Sequence, residues 1–376
     1  MQFLTGAIEP SFLAYPWGLI AAANYLYLLV IVSFSRDKWR WAEYLHSRPA
    51  YISSIVAVLL LTLVFGLVRQ DGATGGLLGM LGFTQMKSAW VFNLFLFDLM
   101  TILGLRAVAE IRRFDKRRLP ATVIHLSFFV ILAAALFGSG DKMRVTVNAV
   151  QGEPVSRGVT KDGKVVMLPF TLRLKEFTME EYPPHIHIYS GDNLTKEYVT
   201  IESEGQGGRI GAWQIECTSY LEMAGRMPGD SSYVHINHVG ATTAVYLKAT
   251  DGARSAEGWV SCGSHIFPAS TLALPDSAML VMPQREAKKY LSQVVMSDAD
   301  GEREYDIAVN SPATAGAWKI YQSAYDRTRG KWSTVSVLEC VKDGWYAVVH
   351  AAMWLAMAVG VTMFFIGNRQ RKGGKK

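Results

Sequence analysis

The chain has 376 residues, 50% hydrophobic and 19% charged, enough for a membrane core plus one ordinary soluble domain. Its formal net charge of +6 is explained by short basic segments beside apolar runs, which anionic headgroups attract. Nucleic-acid binding is not needed to account for it.

Met1–Tyr15 carries no Lys or Arg and so lacks the basic region of a cleavable signal peptide. The first apolar run, Trp17–Phe34, is therefore expected to be retained. Arg36, Lys38, Arg40 and Arg48 follow it, then a second run, Tyr51–Val68. The Asp71–Ser88 loop has one cation, Lys87, and its glycine-rich part, Gly72–Gly82, is apolar enough to lie in the membrane interface. It lacks the Lys-Ser or Lys-Thr of a phosphate-binding loop. The third run, Ala89–Ala109, is followed by Arg112, Arg113, Lys116, Arg117 and Arg118, and the fourth is Ala121–Gly138. The last, Trp345–Ile366, precedes Arg369, Arg371, Lys372, Lys375 and Lys376. Each run approaches the ~20 residues that cross a hydrocarbon core, so five transmembrane helices are expected. Short cytoplasmic loops accumulate Lys and Arg; the three basic segments then face the cytoplasm, and the N-terminus, Asp71–Ser88 and Ser139–Gly344 face outward.

The outward segment reads as strands: Arg144–Val150, Val165–Phe177, His185–Tyr189, Glu197–Glu202, Gly211–Tyr220, Thr242–Ala249, Ala278–Met282, Tyr305–Val309, Trp318–Ala324 and Ser333–Val341. Many alternate apolar and polar residues, with Gly, Asp, Asn and Pro between them. The expected fold class is a polytopic α-helical membrane protein with a large extracytoplasmic all-β domain, sandwich or barrel-like. Residues 1–138 form a four-helix membrane region, 139–344 the β-rich domain, and 345–376 the final helix and basic cytoplasmic tail. The recurring aromatic residues Tyr182, Tyr189, Trp213, Tyr220, Trp259, Trp318 and Tyr321 read as core.

Cys217, Cys262 and Cys340 are odd in number and show no C-x-x-C, which argues against thiol-reductase chemistry; without C-x-x-C-H the chain is not itself a c-type cytochrome. One disulfide with a spare thiol, or three free cysteines, is the default. Among the histidines, His46 reads as solvated. His185 and His187 share a strand face, where a polar surface outweighs a metal or heme site; His235 and His238 pose the same question more weakly. His265 stands alone, and His350 opens the last span. His125 differs, because an ionisable side chain within a span is costly and hints at function. At ~1.5 Å per residue from Pro120 it lies roughly 7–8 Å into its helix. A neutral imidazole there can ligate heme iron, carry a proton or bond to a neighbouring helix. Asp98, mid-span, suits an interhelix hydrogen bond or a proton-linked role. Arg106, at a depth similar to His125, either snorkels to headgroups or partners a heme propionate.

Four stretches in order carry a family resemblance: LGFTQMKSAWVFNLFLFDLM before and within the third span, IHLSFFVILAAALFGSG around His125, VMLPFTLRLKEFTMEEYPP at Val166–Pro184, and WKIYQSAYD at Trp318–Asp326. With one large outer domain between the last two spans, the chain resembles the ResB (CcsB) proteins of system II cytochrome c maturation. The resemblance implies a ResC/CcsA-type membrane partner, heme b held transiently and shared with it, and apocytochrome c as client, in the bacterial inner (cytoplasmic) membrane. It matches the family's membrane histidine to His125, making that residue the candidate ligand of heme iron and Arg106 a secondary candidate. Trp17–Phe34 is an additional leading helix relative to the family pattern. The tryptophan-rich heme-handling motif of the partner is absent, so the chain is read as a subunit rather than an enzyme alone. The alternatives are a heme-b electron-transfer subunit, which needs paired axial histidines, and an assembly scaffold that never touches heme.

Overall fold

A computed structural model describes residues 6–73, 75–116, 118–190, 193–229, 231–275 and 277–373, with backbone alone at 10 and 366–373. Met1–Thr5, Thr74, Arg117, Lys375 and Lys376 of the segments above lie outside the described residues. The chain forms two compact units, Met1–Met143 with Lys342–Lys376, and Arg144–Val341.

The first unit contains five helices long and apolar enough to cross a membrane: α1 Trp17–Phe34, α2 Arg48–Leu67, α3 Trp90–Arg112, α4 Leu119–Phe137 and α5 Tyr346–Gly373. Proline fixes the start of α2 and α4 at Pro49 and Pro120, where its missing N–H would be unpaired anyway. Ser47 caps α2 by accepting from Ala50 N at 3.3 Å. The helices match the expected runs to within a turn at each end, except that α5 continues past Ile366 to Gly373.

Helix α3 is the hub, packing against α1, α2 and α4, whereas α5 packs on α4. Leu29, Met100, Leu103, Leu105, Phe129 and Phe137 form the bundle core. Gly104 permits the close approach: a Cβ there would come within 2.7 Å of Leu29 Cδ1 and 2.8 Å of Phe129 Cε2. Polar links add direction. Tyr25 OH and Thr101 Oγ1 are 2.8 Å apart between α1 and α3, and Arg112 donates to Ser33 O at 3.2 Å while lying over the Phe34 ring. In the Asp71–Ser88 loop, Gly76–Met80 is a short helix with Leu77, Leu78 and Met80 exposed, a surface suited to lipid.

The second unit is β-rich. Its largest sheet has eight strands in the order Gly301–Ala308, Ala287–Asp298, Val165–Glu181, Pro154–Thr160, Met143–Val150, Val335–Lys342, Trp318–Tyr325 and Ala313–Ala315. It curls until its outer strands approach each other, with Ala308 and Ser311 exchanging backbone hydrogen bonds of 3.2 and 3.1 Å, and is nearly a barrel. Alternation drives the curl's interior: Val145, Val147 and Ala149 are buried while Arg144, Thr146 and Asn148 are exposed. Leu172, Leu174, Met296, Ile307, Trp318, Ile320, Leu338 and Cys340 complete this core. Inside it Ser292 Oγ donates to Gln322 Oε1 at 2.6 Å and meets Ser336 Oγ at 2.7 Å, so the buried polar atoms are paired.

A second core lies between two smaller sheets. One is ordered Arg254–Ser261, Thr242–Asp251, Trp213–Arg226 and Gly207–Ile210, with Tyr233–His235 pairing beside Trp213–Arg226. The other is Leu272–Ala273, Met279–Val281, His185–Ser190 and Asn193–Thr200. Ile186, Ile201, Ile215, Leu247 and Leu280 are fully buried there, and Trp213 nearly so. Barrel-like and sandwich packing therefore coexist in one unit. Trp213 and Trp318 are core as expected, but Tyr182 is exposed.

Candidate functional site

Three helices of the membrane unit converge on His125. Its position in the second turn of α4 faces the last turns of α3, where Arg106 and Glu110 stand one turn apart on one face. His125 Nδ1 is 3.0 Å from Glu110 Oε2. Tyr51 of α2 packs edge-on to the imidazole, ring centroids 5.9 Å apart at 81°, and the Arg106 guanidinium lies 4.5 Å from the Tyr51 ring centroid. The His125 side chain is 13% exposed and Glu110 21%, so the pair is largely withdrawn from solvent even before lipid is considered. Nε2 of His125 has no hydrogen-bond partner among the described residues. An ionised carboxylate only accepts, so Nδ1 is the donor to Glu110; in the neutral imidazole this tautomer keeps its lone pair on Nε2. The cluster is thus one available nitrogen donor, held by a carboxylate and an aromatic edge, with a permanent cation nearby.

The structure brings His125 and Arg106 together through Tyr51. Glu110 and Tyr51 were not singled out from sequence; the signal for Glu110 was its i, i+4 spacing from Arg106. Asp98 makes no hydrogen bond among the described residues, so of its two readings the interhelix hydrogen bond is not seen. His350 rests against Tyr346, ring centroids 3.9 Å apart. His46 is half-buried rather than solvated, with Nδ1 2.8 Å from Ala42 O, because its helix end packs it down.

In the β-rich unit His185 and His187 flank Tyr198, at 4.4 and 5.3 Å between ring centroids. Their Nδ1 atoms are bound to Thr200 Oγ1 and Thr195 O at 3.0 and 3.1 Å. His235, His238 and His265 are exposed. Among the described residues there is no group of three His, Cys, Asp or Glu placed to hold a metal ion.

The same unit has a polar cleft of about 390 Å3 lined by Glu181, His265, Arg285, Lys331 and Trp332. Arg285, 8% exposed, is its anchor: Nη1 donates to Glu222 Oε1 at 2.6 Å and Thr243 Oγ1 at 2.8 Å, Nε to Tyr182 O at 2.8 Å, and Nη2 to Glu181 O at 3.5 Å. Burial alone would raise the Glu222 pKa, but hydrogen bonds from Tyr220 and Arg285 outweigh it and hold the carboxyl below its usual value. Glu181, farther from its cations, goes the other way: burial pushes it up. The network ties the large sheet to the sheet containing Thr243.

All three cysteines are free and buried. Burial raises the Cys217 thiol to about 11 and that of Cys340 to about 12, which keeps them protonated and inert at neutral pH.

Residues 114–200, from the turn before α4 through His125 into the first strands of the β-rich unit, match the model of the ResB-like family. No curated protein matches the chain.

Proposed function

We propose, from the ResB-like match and the His125 cluster together, that the chain is a cytochrome c maturation subunit. With a ResC/CcsA-type partner it takes heme b across the membrane and presents it for attachment to apocytochrome c. The observation that carries this reading is the unbonded Nε2 of His125, withdrawn between helices and inside the segment that matches the family. An imidazole so placed suits heme iron. It supplies one axial position; the other falls to the partner. Arg106, always charged, offers the cation that a propionate needs. Heme is the cargo, and its iron supplies the coordination site by which it is held.

The orientation that fits this role has the N-terminus and the β-rich unit outside the cytoplasmic membrane and the C-terminus in the cytoplasm, as the basic flanks favour. A reporter active only outside should work when fused within Ser139–Gly344 and fail after Arg118; the reverse pattern would invert the topology.

The decisive test compares wild type with His125→Ala at matched abundance. The variant should insert and associate with the partner, yet lose most co-purified heme and holocytochrome yield, with partial restoration by added imidazole. Unchanged spectra and yield would return His125 to a helix-packing role.

A further inference from the structure

We propose that Glu110 is the positioning residue for His125: it fixes the imidazole so that Nε2 is the nitrogen offered to iron, and strengthens that nitrogen as a donor. The proposal rests on the heme reading of the site. Three observations carry it. Glu110 Oε2 lies 3.0 Å from Nδ1, within hydrogen-bond reach. The Tyr51 edge contact limits rotation of the same ring. Both partners are largely buried, where a hydrogen bond is electrostatically stronger than in water.

The competing role is a tie between α3 and α4. Those helices already meet through apolar packing, with Gly104 of α3 seated against Phe129 of α4. A neutral glutamine or serine would tie them without the cost of withdrawing a carboxylate into a span. What a carboxylate adds is negative charge on the Nδ1–H, which makes the opposite nitrogen a better electron donor. Outer-shell partners of this kind orient metal-binding histidines and raise their basicity. The sequence places Glu110 beside the Arg112–Arg113 turn, where it reads as one more charge at a helix end; only the α3–α4 pairing reveals its partner.

The experiment uses the full chain with its partner in detergent or nanodiscs, titrated with hemin and then by a reductive potentiometric titration. Glu110→Gln keeps an acceptor oxygen but removes the charge. It should retain hemin and shift the midpoint potential upward, since a weaker donor favours the ferric iron less. Glu110→Ala removes the acceptor, and hemin affinity should fall about 10–100-fold. In a His125→Ala background, Glu110→Gln should change neither quantity further, because Glu110 acts through the ring. An unshifted potential in Glu110→Gln overturns the proposal even if Glu110→Ala loses hemin, since that pattern belongs to a helix tie. Wild-type affinity and potential in both variants overturn it as well, and leave the heme reading standing if His125→Ala still loses hemin. Failure of the wild-type complex to bind hemin at all would instead sink the heme reading itself.

Discussion

Two clusters in this molecule withdraw ionisable side chains from water, and they are completed differently. Around Arg285 every guanidinium nitrogen has an acceptor, and two glutamates face the one arginine. Around His125 one ring nitrogen is bonded and the other is open among the described residues. A buried network with its valences filled contributes rigidity and a defined packing; the open nitrogen of the other is the position at which the proposed heme would bind. On the proposed reading it is this contrast, rather than burial, that distinguishes the two sites.

Substitutions at the two centres should therefore fail in opposite ways. The largest effect expected is on ligand: His125→Ala loses most of its heme, while thermal unfolding of the β-rich unit, followed by tryptophan fluorescence, stays unchanged. Arg285→Ala should do the reverse. It leaves Glu222 and Glu181 without their cation and should lower the stability of the β-rich unit by roughly 3 kcal/mol, the low end for a broken buried pair because Glu222 is half-exposed. Hemin affinity at matched folded protein should be retained. If Arg285→Ala removed heme without loosening the β-rich unit, the comparison would break.

A smaller effect depends on pH. The Glu222 carboxyl is held below its usual value in the folded protein, so its contribution is fully present above the unfolded carboxylate pKa of about 4.3 and is lost as the pH falls through the lower, folded value. The melting temperature of wild type should exceed that of Glu222→Gln at neutral pH, with the gap closing on acidification through that window. A gap that widened in acid would reverse the sign of the coupling.

The smallest effect is expected at the thiols. Buried and shifted upward, Cys217 and Cys340 should resist alkylation at pH 8 until the protein unfolds, and reductant should leave cytochrome assembly unaltered. Rapid native labelling, or assembly that required added thiol, would bring in chemistry the present reading lacks.

Much of this was legible in the sequence, for identifiable reasons. Lipid demands about twenty apolar residues per crossing, a signal that Trp17–Phe34 or Leu119–Phe137 gives without help from tertiary context. Strands with one buried face alternate, and Met143–Val150 does so. The Ala287–Asp298 strand does not: a register shift between Gln293 and Val294 accompanies three successive buried residues, Val294, Val295 and Met296, which breaks the period-two pattern. Arg254–Ser261, an edge strand with Arg254, Ser255 and Glu257, carries too little apolar signal to stand out. At the candidate site His125 was visible because ionisable residues within spans are rare. Glu110 was not, because its meaning depends on which residue of another helix faces it, and no local pattern encodes that.

The β-rich unit also alters how the last two membrane helices are joined. Its first and last strands are neighbours, with Arg144 bonded to Glu339 near one end and Gln151 to Thr334 near the other, so they run in opposite directions and the chain leaves where it entered. In the membrane unit the same two passages are held by the Lys142–Asp343 ion pair and the Asp141–Trp345 hydrogen bond. To α4 and α5, the folded insertion is therefore equivalent to a tight turn. The entropy of closing a loop grows only with the logarithm of its length, and pairing of the terminal strands removes most of even that from the helical hairpin. The insertion can lengthen or exchange its surface loops without loosening α4 from α5.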